Sequence, residues 1–281
     1  MKQLKKKIFK ILFRHPGLYY IRYILLSKNH KGKSAEAIGC FNDLNPINEI
    51  PKLYFDVNKK ISINPGMDEL EKALEIGRFL RNAITGGTGL GLSSAETLAK
   101  MLEGKGGVCS DFAQIFNLFC CINNIKVKEW GCIDRFYKTR FGHSFNEIYS
   151  SELQKWIAID IHKSIVFSDG EKSQLFSVTE LFHYLRDGNP LKLIFFSAYI
   201  PRNVDRIPHV YSKNTIPFII SNYKNNVNDY FCNRFKNFPP FIINAIMIVL
   251  RKNYAFVFVM DNYKTKLLPK YFQNTKPLSL Q

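Results

Sequence analysis

The chain has 281 residues, 46% of them hydrophobic and 14% aromatic, with a formal net charge of +17. This excludes a disordered polymer and provides enough apolar material for one large domain, or one domain with additions. Six cysteines without regular spacing exclude a disulfide framework.

Residues Met1 to Lys28 are basic and apolar, with Lys2, Lys5, Lys6, Lys7, Lys10, Arg14, Arg22 and Lys28 preceding the first acid, Glu36. Arg14 and Pro16 interrupt any signal-peptide core, and no small-residue cleavage site follows. Two readings stay open: an amphipathic helix lying on an anionic membrane surface, or a helix packed on the core with a solvated basic edge. Strand-like pieces follow at Lys52–Val57 and Ile61–Ile63, with turn signals at Pro46, Pro51 and Pro65-Gly66.

A helix is expected from about Met67 to Ala83, with Leu70, Leu74, Ile76 and Leu80 available for packing. Gly86-Gly87-Thr88-Gly89-Leu90-Gly91 follows a helix, not a strand, and lacks a following Lys-Ser/Thr. It therefore reads as a flexible loop beside a site and not as a phosphate loop. Ser93-x-x-Glu96 has the form of a capping box, opening a helix over about Ser94 to Glu103 that stops at Gly104.

Gly106-Gly107-Val108-Cys109-Ser110-Asp111-Phe112-Ala113 opens the next helix. Phe112, Ile115, Phe116 and Phe119 recur at the spacing of one buried helical face. Cys109 therefore falls at the first turn, where unpaired N–H groups favour an anion and lower a thiol pKa. Asp111 is expected to cap the helix or complement its dipole. Cys40, Cys120, Cys121, Cys132 and Cys232 are expected to be reduced and mostly buried. Adjacent Cys120 and Cys121 lack the spacing of a zinc pair.

Lys126 to Ile133 alternates as a strand, and Asp134 to Arg140 is a charged loop placed to flank a cleft. Phe141–Tyr149 and Gln154–Ile161 read as a hairpin turning at Ser150–Leu153. Centred on the Ser151–Glu152 bond, it sets Tyr149 opposite Gln154, Glu147 opposite Trp156, and His143 opposite Asp160. Opposed side chains in such a pair lie about 4.5–5.5 Å apart at Cβ, so the carboxylate orients the imidazole. Asn146 and Glu147 need only be structural, and His162 is either an accessory group or a partly exposed residue.

Cys109, His143 and Asp160 together are the parts of a thiol nucleophile, its general base and the group that orients the base. The three segments resemble the motifs of the transglutaminase-like superfamily. Gly107 to Ala113 is similar to its cysteine motif, Gly142 to Tyr149 to its histidine motif, and Trp156 to Asp160 to its aspartate motif. The resemblance covers roughly Gly66 to Phe167. It departs from the pattern at Ile161-His162, where proline and threonine commonly follow the aspartate. It departs again at Val108, where animal transglutaminases carry tryptophan, which argues against crosslinking.

That superfamily includes transglutaminases, peptide N-glycanases, arylamine N-acetyltransferases and bacterial thiol hydrolases. The resemblance implies an α+β, papain-like core with the cysteine helix packed on an antiparallel sheet. It also implies acyl transfer through a thioester, hydrolysing an amide in the first instance. An amine acceptor on the same triad, or a binding protein that kept the scaffold and docks on an anionic surface, are the alternatives. The expected layout is a basic region over 1–65, a catalytic core over 66–167 and an extension of unknown role over 168–281. No metal or organic cofactor is required by this chemistry.

Beyond Phe167, Val178–Leu185 reads as a helix and Leu191–Tyr199 as a buried strand. Ile200–Pro217 is loop-like. Phe241–Leu250 is uncharged but too short to cross a bilayer, and is followed by the apolar run Tyr254–Met260. These read as a buried helix and then a strand in preference to a membrane-docking patch. The charge raises nucleic acid as a partner, but the basic residues are dispersed and no nucleic-acid motif is present. The partners expected are a peptide or other amide or ester substrate and, for the basic N-terminus, an anionic membrane surface or a polyanionic glycan. The expected location is cytoplasmic, extending to a peripheral position on the inner face of the membrane.

Overall fold

The computed structural model describes residues 16–30, 32, 34–134, 142–170, 174–198, 204–238 and 240–267. The basic residues before Pro16 and most of the charged loop at 134–140 lie outside them. In chain order the elements are α1 (Pro16–Leu26), β1 (Ser27–Asn29), α2 (Lys52–Asn58), α3 (Glu69–Ala83), α4 (Ser94–Leu102) and α5 (Cys109–Ile122). Next come β2 (Val127–Ile133), β3 (His143–Ser150), β4 (Lys155–Asp160), β5 (Ile165–Ser168), α6 (Val178–Arg186) and β6 (Lys192–Phe195). The chain continues through α7 (Ile207–Val210), β7 (Ile216–Ser221), α8 (Asn225–Arg234), α9 (Pro240–Val249), β8 (Ala255–Phe258) and α10 (Tyr263–Leu267).

The protein is an α+β fold around one mixed sheet, ordered β1-β8-β7-β2-β3-β4-β5-β6 among the described strands. Only the β1–β8 pair is parallel. The antiparallel strands β2, β3 and β4 lie consecutively near the middle. β7, from the C-terminal part, pairs with β2 on one side and β8 on the other. The N-terminal, middle and C-terminal stretches therefore all contribute strands to one sheet.

Two apolar clusters cover its two faces. On one, α5 packs against β2 and β3, with α2, α3 and α4 around it. Phe112, Ile115, Phe116 and Phe119 are all buried there, as their spacing implies. On the other, Trp130, Phe145 and Ala158 of the strands meet Val178, Leu181 and Phe182 of α6.

Several local expectations are corrected. Lys52–Val57 is helical, not a strand: Tyr54 and Val57, three residues apart, are its buried positions, and the Tyr54 ring packs at a tilt against Phe119 of α5. Three residues apart is one helical turn, and this tertiary contact outweighs local β propensity. Ile61–Ile63 forms no strand. Ser93 makes no side-chain cap at the start of α4. Instead the Asp229 carboxylate on α8 accepts from the Ser94 N–H at 2.6 Å and from the Ser94 hydroxyl at 2.5 Å. Leu191–Tyr199 yields only β6, an edge strand whose side chains are exposed or half-buried. The stretch expected as a loop before Pro217 holds α7 and the start of β7. Pro217 is tolerated there because it pairs with Cys132 of β2, and pairing with β8 begins only at Ile219. The apolar segment 241–250 is a helix, as expected, but only Ile243 and Met247 of it are buried.

Candidate active site

Glycine places the candidate nucleophile. Gly106 and Gly107 have φ of 140° and 113°, a region other residues avoid. Gly107 N–H donates to Thr88 O, and Gly87 N–H donates to Gly107 O, both at 2.8 Å. The glycine-rich loop thus lies beside the site and is tied to it by a pair of backbone bonds. A Cβ at Gly106 would stand 2.6 Å from Thr88 O, so the approach requires glycine there. Val108 then takes an extended backbone and Cys109 is the first residue of α5. Asp111 accepts from the Val108 N–H at 2.9 Å and from the Leu90 N–H at 3.4 Å. It caps the helix, as expected, and fastens the glycine-rich loop to it.

The other two residues lie at the open end of the β3–β4 hairpin, where His143 begins one strand and Asp160 ends the other. Tyr149 opposes Trp156, Glu147 opposes Ala158, and Asn146 opposes Ile159. The expected register, with His143 directly opposite Asp160, is therefore slid by two residues. Gln154 enters the turn with φ of 51°, which starts β4 one residue later and moves the turn centre. Side chains alternate along a strand with period two, so this slide keeps every residue on its expected face. His143 and Asp160 become diagonal neighbours on one face, and their long side chains bridge the offset. His143 Nε2–H donates to Asp160 Oδ2 at 2.7 Å.

With Nε2 held by the carboxylate, Nδ1 is left for the thiol of Cys109. The thiol stands near the His143 ring and the backbone N–H of Ser144, both of which favour its charged form. Burial alone would raise the Cys109 pKa, but these two neighbours, the charge on His143 foremost, outweigh it. The thiol is held below its ordinary value. Burial likewise opposes charging His143, yet the charges of Asp160 and Cys109 raise it to about 10. Asp160, fully buried, is pushed up by desolvation and pulled below its usual range by His143. Both shifts act in the direction of a thiolate beside an imidazolium, with the carboxylate behind it.

Two donors to Asp160 were not anticipated from the sequence. Tyr211, at the end of α7, donates its hydroxyl to Oδ2 at 2.9 Å. The Lys163 N–H donates to Oδ1 at 3.0 Å in the tight turn after β4. Tyr211 is buried, and it packs edge-on against His143, Phe145 and Phe167. No motif surrounds it, and it follows Asp160 by 51 positions. The Asp160-x-x-Lys163 turn, between two strands, was a usable signal.

His162 lies with its ring 5.8 Å from that of His143 and 5.3 Å from that of Phe112. Burial, with the charge of His143 beside it, lowers its pKa to about 3, so it is a neutral imidazole. The guanidinium of Arg81 stands over the same Phe112 ring, 4.6 Å from its centre. Asn146 and Glu147 have framework roles. Asn146 Nδ2 donates to Ala113 O of α5 at 3.1 Å and to Asn117 Oδ1 at 2.8 Å. Glu147 accepts from Trp130 Nε1 at 2.9 Å and from the Val178 N–H at 2.8 Å. These bonds fix β3 to the helices on both faces.

All six cysteines are free, with Cys120, Cys121 and Cys132 buried. Among the described residues no group of three or more His, Cys, Asp or Glu is arranged to hold a metal ion. Comparison with protein-family models, curated proteins and solved structures finds no match for this chain.

Proposed function

We propose that this protein is a cysteine-dependent acyl-transfer enzyme with a transglutaminase-like, papain-like core, hydrolysing an amide. One observation carries the reading: the Cys109 thiol, at a helix start, lies in the field of an imidazole whose Nε2 is held by the buried Asp160. What further supports it is the order nucleophile, base, acid along the chain, with the cysteine helix packed on strands β2 and β3.

In the proposed reaction the Cys109 thiolate attacks the carbonyl carbon of a peptide or related amide, and the carbonyl π electrons move to oxygen. The first-turn N–H groups of α5, beginning with that of Cys109, face the developing oxyanion. As the C–N bond breaks, His143 gives its Nδ1 proton to the departing amine, leaving a thioester. Neutral His143 then takes a proton from water, whose oxygen attacks the thioester. The acid departs and the thiolate–imidazolium pair returns. Asp160 holds the ring in one orientation throughout and stabilises its charged form.

The test is labelling with an acyl-directed electrophile, such as a peptidyl chloromethyl ketone, followed by intact mass and peptide mapping. A single adduct on Cys109, lost in Cys109→Ala and slowed in His143→Ala, is expected. Equal labelling of several cysteines, or labelling indifferent to His143, would overturn the assignment.

A further inference from the structure

A second feature lies away from the thiol. α9 carries no charge and one polar side chain, Asn244, and so apolar a helix is ordinarily enclosed largely by protein or lipid. Here Ile243 and Met247 are buried in a small cluster with Phe231 of α8, Ile246 packs against that cluster, and Ile248 packs against the main core. The stripe that none of these contacts covers, Ile242, Ala245 and Val249, follows the same helical spacing and is half-buried or exposed. Val249 is 79% exposed and the adjoining Leu250 53%. α8 and α9 pack against each other as a helical hairpin, and Tyr230 of α8 and Phe238 of the turn between them are 62% and 51% exposed. Apolar surface of this kind, gathered on one supersecondary unit, marks a contact face.

Its charge indicates what covers it. No Asp or Glu occurs between Asp229 and Asp261, while Arg234, Lys236, Arg251 and Lys252 flank α9 at both ends. All four basic residues are exposed. An apolar stripe bounded by cations complements a bilayer surface of anionic headgroups, into which such a helix sinks its apolar side. The helix is ten residues long, far short of the roughly 20 needed to span the hydrocarbon. Among the described residues no helix is long and apolar enough to cross a membrane. The hairpin is also rigidly attached. Asp229 of α8 caps α4 through Ser94, and the start of α9 abuts the glycine-rich loop at Gly91.

We propose that the α8–α9 hairpin docks the protein on an anionic membrane surface, with the Ile242–Val249 stripe and Leu250 in the interface and Arg251 and Lys252 on the headgroups. The readout is binding, so this inference stands or falls separately from the thiol chemistry. Full-length protein is sedimented with vesicles of phosphatidylcholine containing phosphatidylglycerol, and with phosphatidylcholine alone. Wild type is expected to bind the anionic vesicles, less so at high salt. Val249→Asp/Leu250→Asp is expected to bind about tenfold or more weakly, from lost apolar contact and added repulsion. Both positions face solvent, so an unchanged circular-dichroism melt serves as the folding control. An Arg251→Gln/Lys252→Gln variant is expected to lose the salt dependence in part. Equal binding by wild type and the aspartate variant would overturn the proposal and leave any attachment to other basic segments. So would a wild-type dimer, seen by sedimentation velocity, that the aspartate variant disrupts.

Discussion

Tyr211 Oη lies 2.9 Å from Asp160 Oδ2, the same oxygen that His143 Nε2 reaches at 2.7 Å. A residue from the C-terminal part of the chain thus fixes the acid of a candidate triad that itself lies within residues 109–160. Burial holds the Tyr211 pKa well above its ordinary value, so the hydroxyl remains a donor. The donated bond helps to lower the Asp160 pKa. A depressed carboxylate pKa contributes stability above the unfolded value, and that contribution is lost as pH falls through the folded value. Tyr211→Phe removes one bond to a buried carboxylate and is expected to cost about 1.5–3 kcal/mol at neutral pH. The deficit should narrow on acidification as Asp160 protonates. Urea unfolding at several pH values measures this, and equal stability at pH 7 would count against the role given to Tyr211.

The thiolate is the second expectation. Cys109 is held below its ordinary pKa and His143 is raised to about 10. Between those two values the ion pair prevails. The rate of iodoacetamide alkylation should therefore reach its plateau at a pH below that of a free cysteine. In His143→Ala burial acts on the thiol without its main counterweight. The pH limb moves upward and the rate at pH 7 falls about ten- to a hundredfold. Asp160→Asn should shift the limb in the same direction by less. An unmoved limb in His143→Ala would show that the imidazole does not act on the sulfur.

Part of this arrangement was legible in the sequence. The 3.6-residue spacing of Phe112, Ile115, Phe116 and Phe119 indicated α5 and put Cys109 at its start. Alternation indicated β2, β3 and β4. The facing of His143 and Asp160 survived a mistaken register because the slide was by two residues; a slide by one would have turned one of them away. What was not legible depends on contacts distant in sequence. Tyr211 has no local signature. Lys52–Val57 reads as a strand until Tyr54 is seen against Phe119. The Ser93 capping box has the right residues, but Asp229 takes its place.

Glu129, on β2, is the third test. Its Oε2 accepts from Asn117 Nδ2 at 3.0 Å, while its Oε1 is buried without a partner. Burial, with the Cys109 and Asp111 charges adding to it, raises its pKa to about 8. The folded state therefore holds a proton that the unfolded state has lost, and stability falls as pH rises from 4.5 to about 8. Glu129→Gln keeps an acceptor for Asn117 and removes the titration. Its advantage over wild type should grow with pH by about 1.4 kcal/mol per unit, and level off near pH 8. Chemical denaturation from pH 5 to pH 9 reads this out. A constant difference across the range would mean that Glu129 is ionised throughout.

The start of α4 sets two candidate caps against each other. Ser93 precedes the helix and has the sequence form of a cap, but its side chain bonds no helix N–H. Asp229 accepts from both the N–H and the hydroxyl of Ser94, and also from Asn225 Nδ2 at 3.1 Å. An N-cap acceptor contributes about 1–2 kcal/mol, and a carboxylate beside a helix N-terminus adds to that through the helix dipole. Asp229→Ala should therefore lower stability by about 2 kcal/mol, while Ser93→Ala stays within about 0.5 kcal/mol of wild type. The same carboxylate joins α8 to α4, so Asp229→Ala should speed amide hydrogen exchange at the first turn of α4 and in α8 together. Faster exchange in α4 alone would make Asp229 a cap and nothing more. A larger loss from Ser93→Ala than from Asp229→Ala would reverse the assignment.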